Sequence, residues 1–358
     1  MNRMNRYNDI PGVIRWWLFA GLVLIFMQIL IGGITRLTGS GLSITKWEIV
    51  TGTLPPMSED SWQEEFDLYK ATPQYEKINQ GLSMSEFKFI YFWEYFHRLW
   101  ARLMGFAFII PIAYFLIRGM INKPLLKRLI TVFVLAGLVA TFGWIMVASG
   151  LVDRPWVNAY KLSMHLGLAL LTFSYLLWTF LLVSDVKINV GYENVRGLTR
   201  LLLVLVIIQI FTGALVAGMR AAMVYPSWPD MNGEWVPSVL LDRSLWTVDT
   251  FLMYDKSSFM PALTQFVHRL TAYLIFFIGL YYFLRLWRLG KTLSGIQSMS
   301  LIFIICLFTQ VVLGILTVIN AVGQIPVFYG VAHQSIGIIL LSLMIYFTFK
   351  SWQVKQIQ

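Results

Sequence analysis

The chain has 358 residues, of which 58% are hydrophobic and only 13% are charged. Soluble domains carry about 45 to 50% apolar and about 25% charged residues, so this composition excludes an ordinary soluble protein. The 28 Lys and Arg residues exceed the 18 Asp and Glu residues, giving a net charge of +10. In a membrane protein this excess is typical of cytoplasmic loops. We therefore expect the lipid bilayer as the environment and no nucleic-acid partner.

Eight apolar stretches reach the length of about 20 residues that a helix needs to cross a bilayer. We predict spans at residues 15–35, 89–117, 129–149, 163–183, 201–219, 262–284, 298–320 and 331–349. With a cytoplasmic N-terminus, the cytoplasmic side holds fifteen basic and three acidic residues, a net +12. The opposite side holds thirteen basic and fifteen acidic residues, a net −2. The predicted fold is therefore an all-α polytopic membrane protein with both termini in the cytoplasm.

Two long connections, residues 36–88 and 220–261, fall on the outer side in this topology. Their tryptophans and proline turns indicate folded caps, and the stretch from Ser58 to Lys77 predicts short interfacial helices. The single cysteine, Cys306, lies in an apolar run. We therefore expect neither an internal disulfide nor a cysteine-based metal site.

An internal repeat relates the two halves of the chain. The segment 28–33 (QILIGG) in the first span resembles 209–214 (QIFTGA) in the fifth, and 97–102 (HRLWAR) resembles 268–273 (HRLTAY). The fourth and eighth spans also open with similar segments. Because each half holds four spans, the halves share one orientation. We predict two pseudo-symmetric four-helix bundles, an N-terminal half over 1–184 and a C-terminal half over 185–358.

The four histidines of the chain are His97, His165, His268 and His333. Each lies in the first part of an even-numbered span, so we expect all four near the outer face. A lone histidine in a span is usually a packing residue, but two matched pairs indicate ligands. One histidine pair does not complete a structural zinc site, and a di-iron centre needs several glutamates. Two facing histidines suit the axial positions of a haem, which predicts one haem-sized site in each half.

The halves differ beside the first histidine of each pair. Glu94 precedes His97 by three residues and shares its helix face, whereas the matching residue in the C-terminal half is Gln265. An ionisable side chain within a span is a functional hypothesis by default, and its alternative is an ion pair with Arg98 or Arg102. If Glu94 takes part in a reaction, that reaction occurs in the N-terminal half, and the C-terminal half serves electron transfer.

Three arginines lie close to the histidines in sequence: Arg98, Arg102 and Arg269. A guanidinium group can hold a haem propionate with two hydrogen bonds. Alternatively, these side chains extend to the membrane interface. The sequence leaves both alternatives open.

The stretch 86–105, with its Glu-x-x-His-Arg motif, closely resembles the signature of the haem A synthase family, in the branch shared by mitochondria and many bacteria. Further matches are Gly32 to Ser43, Thr45 to Pro56, and Trp228 to Pro237. The similarity covers residues 15 to 349. Some members of this family carry a cysteine pair in the first outer loop, and this chain has none.

The resemblance implies an oxidoreductase that converts haem O into haem A by oxidising the C8 methyl group to a formyl group, for use in terminal oxidases. Carried over by motif, His97 and His165 hold the iron of the substrate haem O and Glu94 serves the oxidation. His268 and His333 then ligate a haem b cofactor. The implied partners are the haem O-forming farnesyltransferase, an external electron carrier and the terminal oxidase assembly.

Two other classes compete with this interpretation. A dihaem b-type electron-transfer protein would hold both haems permanently, and a transporter could also be built from parallel repeats. Small residues such as Gly32 and Gly33 permit helix contacts in a homo-oligomer. Since the sequence shows no import segment, it favours a bacterial cytoplasmic membrane.

Overall fold

The computed structural model describes Tyr7 and residues 10–46, 54–150, 155–184, 192–290 and 295–355. Within these ranges the chain is helical, with one isolated β-bridge between Met231 and Glu234. The α-helices are α1 Gly12–Leu37, α2 Glu59–Lys70, α3 Pro73–Lys77, α4 Met84–Ile117, α5 Lys123–Gly150, α6 Ala159–Val183, α7 Arg196–Gly218, α8 Ala221–Val224, α9 Val248–Leu252, α10 Phe259–Gly290, α11 Ile296–Ile319 and α12 Val327–Lys355. Three short 3₁₀-helices cover Tyr192–Val195, Ser238–Leu241 and Arg243–Leu245.

Eight of the described helices are long and apolar enough to cross a membrane: α1, α4, α5, α6, α7, α10, α11 and α12. Each overlaps one predicted span, so the predicted all-α class with eight spans is confirmed. Helix α4 begins at Met84 rather than at 89, because Ser83 and Glu86 form a capping box. The Glu86 side chain accepts the backbone N–H of Ser83 at 2.9 Å, which satisfies a donor that the helix leaves unpaired.

The chain divides into two compact units, and we describe each by itself. The first unit covers Phe19–Phe173, and the second combines Met1–Leu18 with Ser174–Gln358. The domain boundary between 184 and 185 and the pseudo-symmetry of the halves stay predictions.

In the second unit, four long helices form a closed bundle. Helix α10 packs against α7 and α11, and α12 packs against the same two helices. Inside the bundle the hydroxyl groups of Thr199 and Tyr282 lie 2.9 Å apart, both buried. The rings of Phe303 and Phe347 pack edge-on beside Tyr282. The two hydroxyl groups therefore satisfy each other, and aromatic rings pack around them.

In the first unit, α2 and α3 cover the beginning of α4. An aromatic cluster of buried residues joins them: Phe66, Tyr69, Phe87, Ile90 and Tyr91. Phe66 stacks on Phe87 with ring centroids 4.8 Å apart. Burial in this cap raises the pKa of Tyr69 to about 12. These two helices confirm the short helices predicted between Ser58 and Lys77.

The loop after α1 returns to the side of α4. Gly39 has a φ of 71°, a left-handed conformation that glycine adopts without steric cost. The N–H of Ser40 donates to the carbonyl of Thr35 at 2.9 Å, and the N–H of Gly39 donates to that of Arg36 at 3.3 Å. This is a Schellman motif, which ends the helix and reverses the chain. Gln74 then holds the turn by donating to the carbonyl of Gly39 at 2.9 Å.

Candidate functional site

The two histidines of the C-terminal half face each other inside the second unit. His268 lies on α10 and His333 on α12, and both side chains are partly buried. Their ring centroids are 6.3 Å apart, with the ring planes at 70°. The structure therefore brings together the pair that the sequence predicted.

Neighbouring groups fix which nitrogen of each ring carries the proton. The Nδ1 atom of His333 lies 3.0 Å from the carbonyl of Gln310, which can only accept. The Nδ1 atom of His268 lies 3.1 Å from the hydroxyl of Thr212, and this hydroxyl donates its proton to the carbonyl of Gln209. Both Nδ1 atoms therefore donate, and the lone pair is on Nε2. Such an arrangement orients imidazole Nε2 as a metal ligand.

The separation of these rings fits a haem iron between them. An imidazole nitrogen binds a first-row metal ion at about 2 Å, so two rings on opposite sides of one ion have centroids about 6 Å apart. The side-chain amides of Gln209 and Gln310 lie 3.2 and 3.3 Å from the two Nε2 atoms and donate to their lone pairs. The Oε1 atom of each glutamine is buried without a hydrogen-bond partner among the described residues. The lone pair of each histidine Nε2 atom thus has a neutral amide group as its partner in this structure.

The histidines of the N-terminal half come together in the first unit. His97 lies on α4 and His165 on α6, close enough for a charge on one ring to act on the other. The Nδ1 atom of His165 lies 3.0 Å from the carbonyl of Val139 and donates to it, which leaves Nε2 as the acceptor. The residues of this pair also fit two axial ligands, with His165 anchored as in the C-terminal pair.

A glycine on a neighbouring helix lies against each histidine ring. A Cβ atom built on Gly143, Gly213 or Gly314 would lie 2.9 Å from Cε1 of the facing histidine, and one on Gly32 would lie 3.1 Å from Nε2 of His97. Only a residue without a side chain leaves room for these rings. The facing pairs are Gly32 with His97, Gly143 with His165, Gly213 with His268, and Gly314 with His333.

Sequence reasoning missed two of the four copies of this pattern. The residue four positions before the glycine is Gln28, Gln209 or Gln310 in three copies and Val139 in the fourth. The spacing Gln-x-x-x-Gly was the available signal for Gln310. No side-chain signal marks Val139, because it acts through its backbone carbonyl. Gln28 donates to the carbonyl of His97 at 3.2 Å.

Glu94 lies in a cradle of hydrogen-bond donors and is 3% exposed. Its Oε2 atom accepts from the N–H of Ser43 at 2.7 Å, the hydroxyl of Ser43 at 2.8 Å and the N–H of Ile44 at 3.0 Å. Its Oε1 atom accepts from Arg98 at 2.6 Å. All four contacts are donations to the carboxyl group, as an ionised carboxylate requires. The ion pair with Arg98, the alternative weighed from the sequence, is therefore formed.

Gln265 occupies the matching position on α10 and meets the opposite chemistry. It is 1% exposed, and its amide donates to the backbone carbonyl of Tyr225 at 3.0 Å. Its Oε1 atom is buried without a hydrogen-bond partner among the described residues. The loop beside Glu94 thus offers N–H donors to a carboxyl group. The loop beside Gln265 offers a carbonyl acceptor to an amide.

The arginine after each first histidine holds a loop that packs against its own helix. Arg98 donates to the carbonyls of Ile44 and Lys46, both at 3.4 Å, in addition to Glu94. Arg269 donates to the carbonyls of Ser227 and Asp230, both at 2.7 Å. Longer contacts join Arg269 to two further carbonyls in the same loop. These contacts do not test the predicted propionate binding.

A tight turn shapes the loop that Arg269 holds. Asn232 and Gly233 have φ of 58° and 89°, and the N–H of Met231 donates to the carbonyl of Glu234 at 2.8 Å. Such a turn requires left-handed residues at both centres. The Ser227 hydroxyl donates to Asp230 at 2.8 Å and holds the pKa of that carboxyl below its usual range. The segment from Trp228 to Pro237, seen in the sequence only as a weak motif, therefore presents carbonyls to Arg269.

The fold and the site together define a multi-pass membrane protein with two histidine pairs suited to haem iron. The chain is also similar to known proteins of one family. A model of the COX15-CtaA family, described as cytochrome oxidase assembly protein, matches residues 15–345. A protein of Bradyrhizobium diazoefficiens named "Heme A synthase" is 41% identical over 93% of this chain and 89% of its own. Proteins of the same name from Parvibaculum lavamentivorans and Flavobacterium psychrophilum are each 40% identical, over 97% and 92% of this chain and 98% and 95% of their own.

The chain belongs to the COX15-CtaA family of cytochrome oxidase assembly proteins.

Proposed function

We propose that this protein is a haem A synthase, an oxidoreductase that converts the C8 methyl group of haem O into the formyl group of haem A. Family membership and the shared name of the relatives support this activity. The observation that carries the assignment of sites is the presence of a buried Glu94 that accepts four hydrogen bonds beside one histidine pair, where the other pair has Gln265.

In this proposal the N-terminal pair, His97 and His165, holds the iron of the substrate haem O. Two successive oxidations at one methyl carbon, with oxygen from water or O2 and electrons exchanged with the external carrier, would give a gem-diol, which loses water to form the aldehyde. Glu94 has the chemistry to orient or deprotonate a water molecule or a hydroxylated intermediate, since a carboxylate accepts a hydroxyl hydrogen.

The C-terminal pair, His268 and His333, would hold a haem b cofactor, which would supply electron transfer between the substrate site and an external carrier. Their fixed tautomers and the room over Gly213 and Gly314 support this role. Gln265 cannot exchange a proton at neutral pH, as expected beside a haem that only moves electrons.

Propionate binding by Arg98, Arg102 and Arg269 remains part of the proposal. The loop contacts of Arg98 and Arg269 place these cations close to the histidines in sequence and structure, where a guanidinium group can pair with an anion.

We further propose that both termini are cytoplasmic and both haem sites lie toward the outer face of a bacterial cytoplasmic membrane. The charge asymmetry of the loops supports this orientation. The proposed partners are the haem O-forming farnesyltransferase, the electron carrier and the terminal oxidase assembly. Self-association into a homo-oligomer is a further proposal, but Gly33 is buried and Gly32 lies against His97, so these two glycines do not support it.

The test is haem extraction from cells that make haem O, with and without this chain. We expect haem A only when the chain is present, together with haem b in the purified protein. The matched local geometry of the two pairs also suits a dihaem b-type electron-transfer protein. That second function predicts haem b at both sites and no haem A, even with haem O supplied.

A further inference from the structure

We propose that Ser43 is the positioning residue of Glu94, fixing its Oε2 atom so that Oε1 is the oxygen directed to the substrate. This inference rests on the proposed function, because it assigns Glu94 to the oxidation of haem O. Ser43 follows α1 in the outer loop and is fully buried. It supplies two of the three donors to Oε2, one from its backbone and one from its side chain.

The two carboxyl oxygens have different surroundings. A carboxylate oxygen has two lone pairs, and Oε2 already accepts three donors, from Ser43 and Ile44. Among the described residues, Oε1 accepts only from Arg98. Oε1 therefore keeps an acceptor position for a hydroxyl group of the substrate. Oε2 serves to hold the carboxylate in place.

The hydroxyl of Ser43 has a choice of acceptors. Its oxygen lies 2.8 Å from both Glu94 Oε2 and the carbonyl of Ser40, and 3.3 Å from the carbonyl of Ile90. One hydroxyl proton serves one of these acceptors at a time. The hydroxyl can therefore strengthen its bond to Glu94 when negative charge concentrates on the carboxylate and turn to Ser40 when the charge is shared with a substrate.

The C-terminal half shows that this cradle is specific to the glutamate. The loop beside Gln265 presents the carbonyl of Tyr225, an acceptor that would repel a carboxylate. Arg269 nevertheless holds this loop through backbone carbonyls, much as Arg98 holds the other. Arg269 and Gln265 thus hold this loop without a carboxylate. The Ser43 donors serve the carboxylate itself.

The test compares Ser43→Ala with a matched control, Ser40→Ala, in cells that make haem O. Ser40 lies in the same loop and is equally buried, but its hydroxyl pairs with the hydroxyl of Thr38 at 2.7 Å instead of with Glu94. We expect Ser43→Ala to lower the ratio of haem A to haem O about 10-fold, as loss of an orienting partner does at other sites. Ser40→Ala should change the ratio less than about 2-fold.

Infrared spectroscopy gives a readout that does not depend on activity. The carboxylate band of Glu94 is the band that disappears in Glu94→Gln. It should shift in Ser43→Ala and stay at the native position in Ser40→Ala, because only Ser43 donates to this group. Haem b content reports whether each variant is folded. Ser43→Cys, which keeps the volume with a weaker donor, replaces the alanine variant if haem b is lost.

An unchanged band and haem ratio in Ser43→Ala would overturn the proposal, and so would equal losses in the two alanine variants. If the native protein formed no haem A, the proposed function would fail, whereas the infrared bands would still decide whether Ser43 holds Glu94.

Discussion

The beginnings of α4 and α10 carry the same architecture with opposite chemistry. Each has a histidine, an arginine that clamps an outer loop, and a buried polar residue three positions before the histidine. Around Glu94 the loop turns N–H groups inward, whereas around Gln265 it turns a carbonyl inward. The backbone of each loop therefore matches its side chain. The difference teaches that the reaction can be confined to one half without a change of fold.

The groups around the Nε2 atoms of the histidines also differ between the two halves. In the C-terminal half, Gln209 and Gln310 place amides at both Nε2 atoms. In the N-terminal half, Gln28 donates to a backbone carbonyl, and Val139 has no side-chain amide. The two halves thus share ligands and differ in the groups around them.

The largest difference between the two halves is expected when one histidine is removed, because each removal should affect the haem of one half only. We expect His268→Ala or His333→Ala to lose haem b by more than about 10-fold, with haem O and haem A little changed. His165→Ala should do the reverse. Chromatography of the haems bound to each purified variant measures both. Equal loss of all haems in every variant would contradict two separate sites.

The next largest effect is expected from replacing Gln265 by glutamate, which tests whether the loop backbone suits only an amide at this position. Gln265→Glu places a buried carboxylate against the carbonyl of Tyr225, and an unpaired buried charge costs about 3 to 5 kcal/mol. We expect a lower melting temperature of the detergent-purified protein at neutral pH, measured through release of haem b. Native stability in this variant would show that the loop does not discriminate between the two side chains.

A smaller effect is expected from replacing the glycine that lies against the ring of His268. Gly213→Ala puts a Cβ atom 2.9 Å from His268, whereas Gly197→Ala on the same helix meets no atom within 4 Å. Overpacking should cost about 1 to 3 kcal/mol and shift the absorption bands of haem b in Gly213→Ala. The Gly197 variant should be neutral or stabilised by up to about 1 kcal/mol, since alanine favours helix. Identical spectra for the two would argue against close contact at His268.

The smallest effect concerns pH and the loop around Arg269. The hydrogen bond from Ser227 keeps the pKa of Asp230 below its ordinary value of 3.8. Its ionised form therefore stabilises the fold fully above that value, and the contribution is lost as the pH falls through the lower pKa of the folded state. Melting temperatures of native and Asp230→Asn protein should differ slightly and by a constant amount above about pH 5. Their difference should disappear in strong acid, and a difference that instead grew there would contradict this assignment.

Much of the fold could be predicted because apolar length and charge asymmetry are properties of the sequence itself. All eight spans follow from them, and the histidine pairs follow from the repeat. The hydrogen-bond donors around Glu94 could not all be predicted from the sequence. Two of its four donors are backbone N–H groups, which every non-proline residue has, and three of the four come from a loop distant in sequence. Only the folded turn at Gly39 brings Ser43 to α4.

The fourth copy of the glycine pattern shows the same limit. Val139 anchors His165 with a carbonyl, so its side chain carries no trace of the role. Gln310 could have been found from its spacing to Gly314. What sequence reasoning recovers here is side-chain chemistry at regular spacing. What it misses is backbone chemistry that depends on how helices approach each other.

The most direct measurement is the haem composition of cells that make haem O and express either the native chain or Glu94→Gln. The account predicts haem A with the native chain. With the variant it predicts haem O or a hydroxylated intermediate, and unchanged haem b in both. Equal haem A from the two proteins would contradict the assignment of the reaction to Glu94, and haem b alone in the native protein would favour an electron carrier.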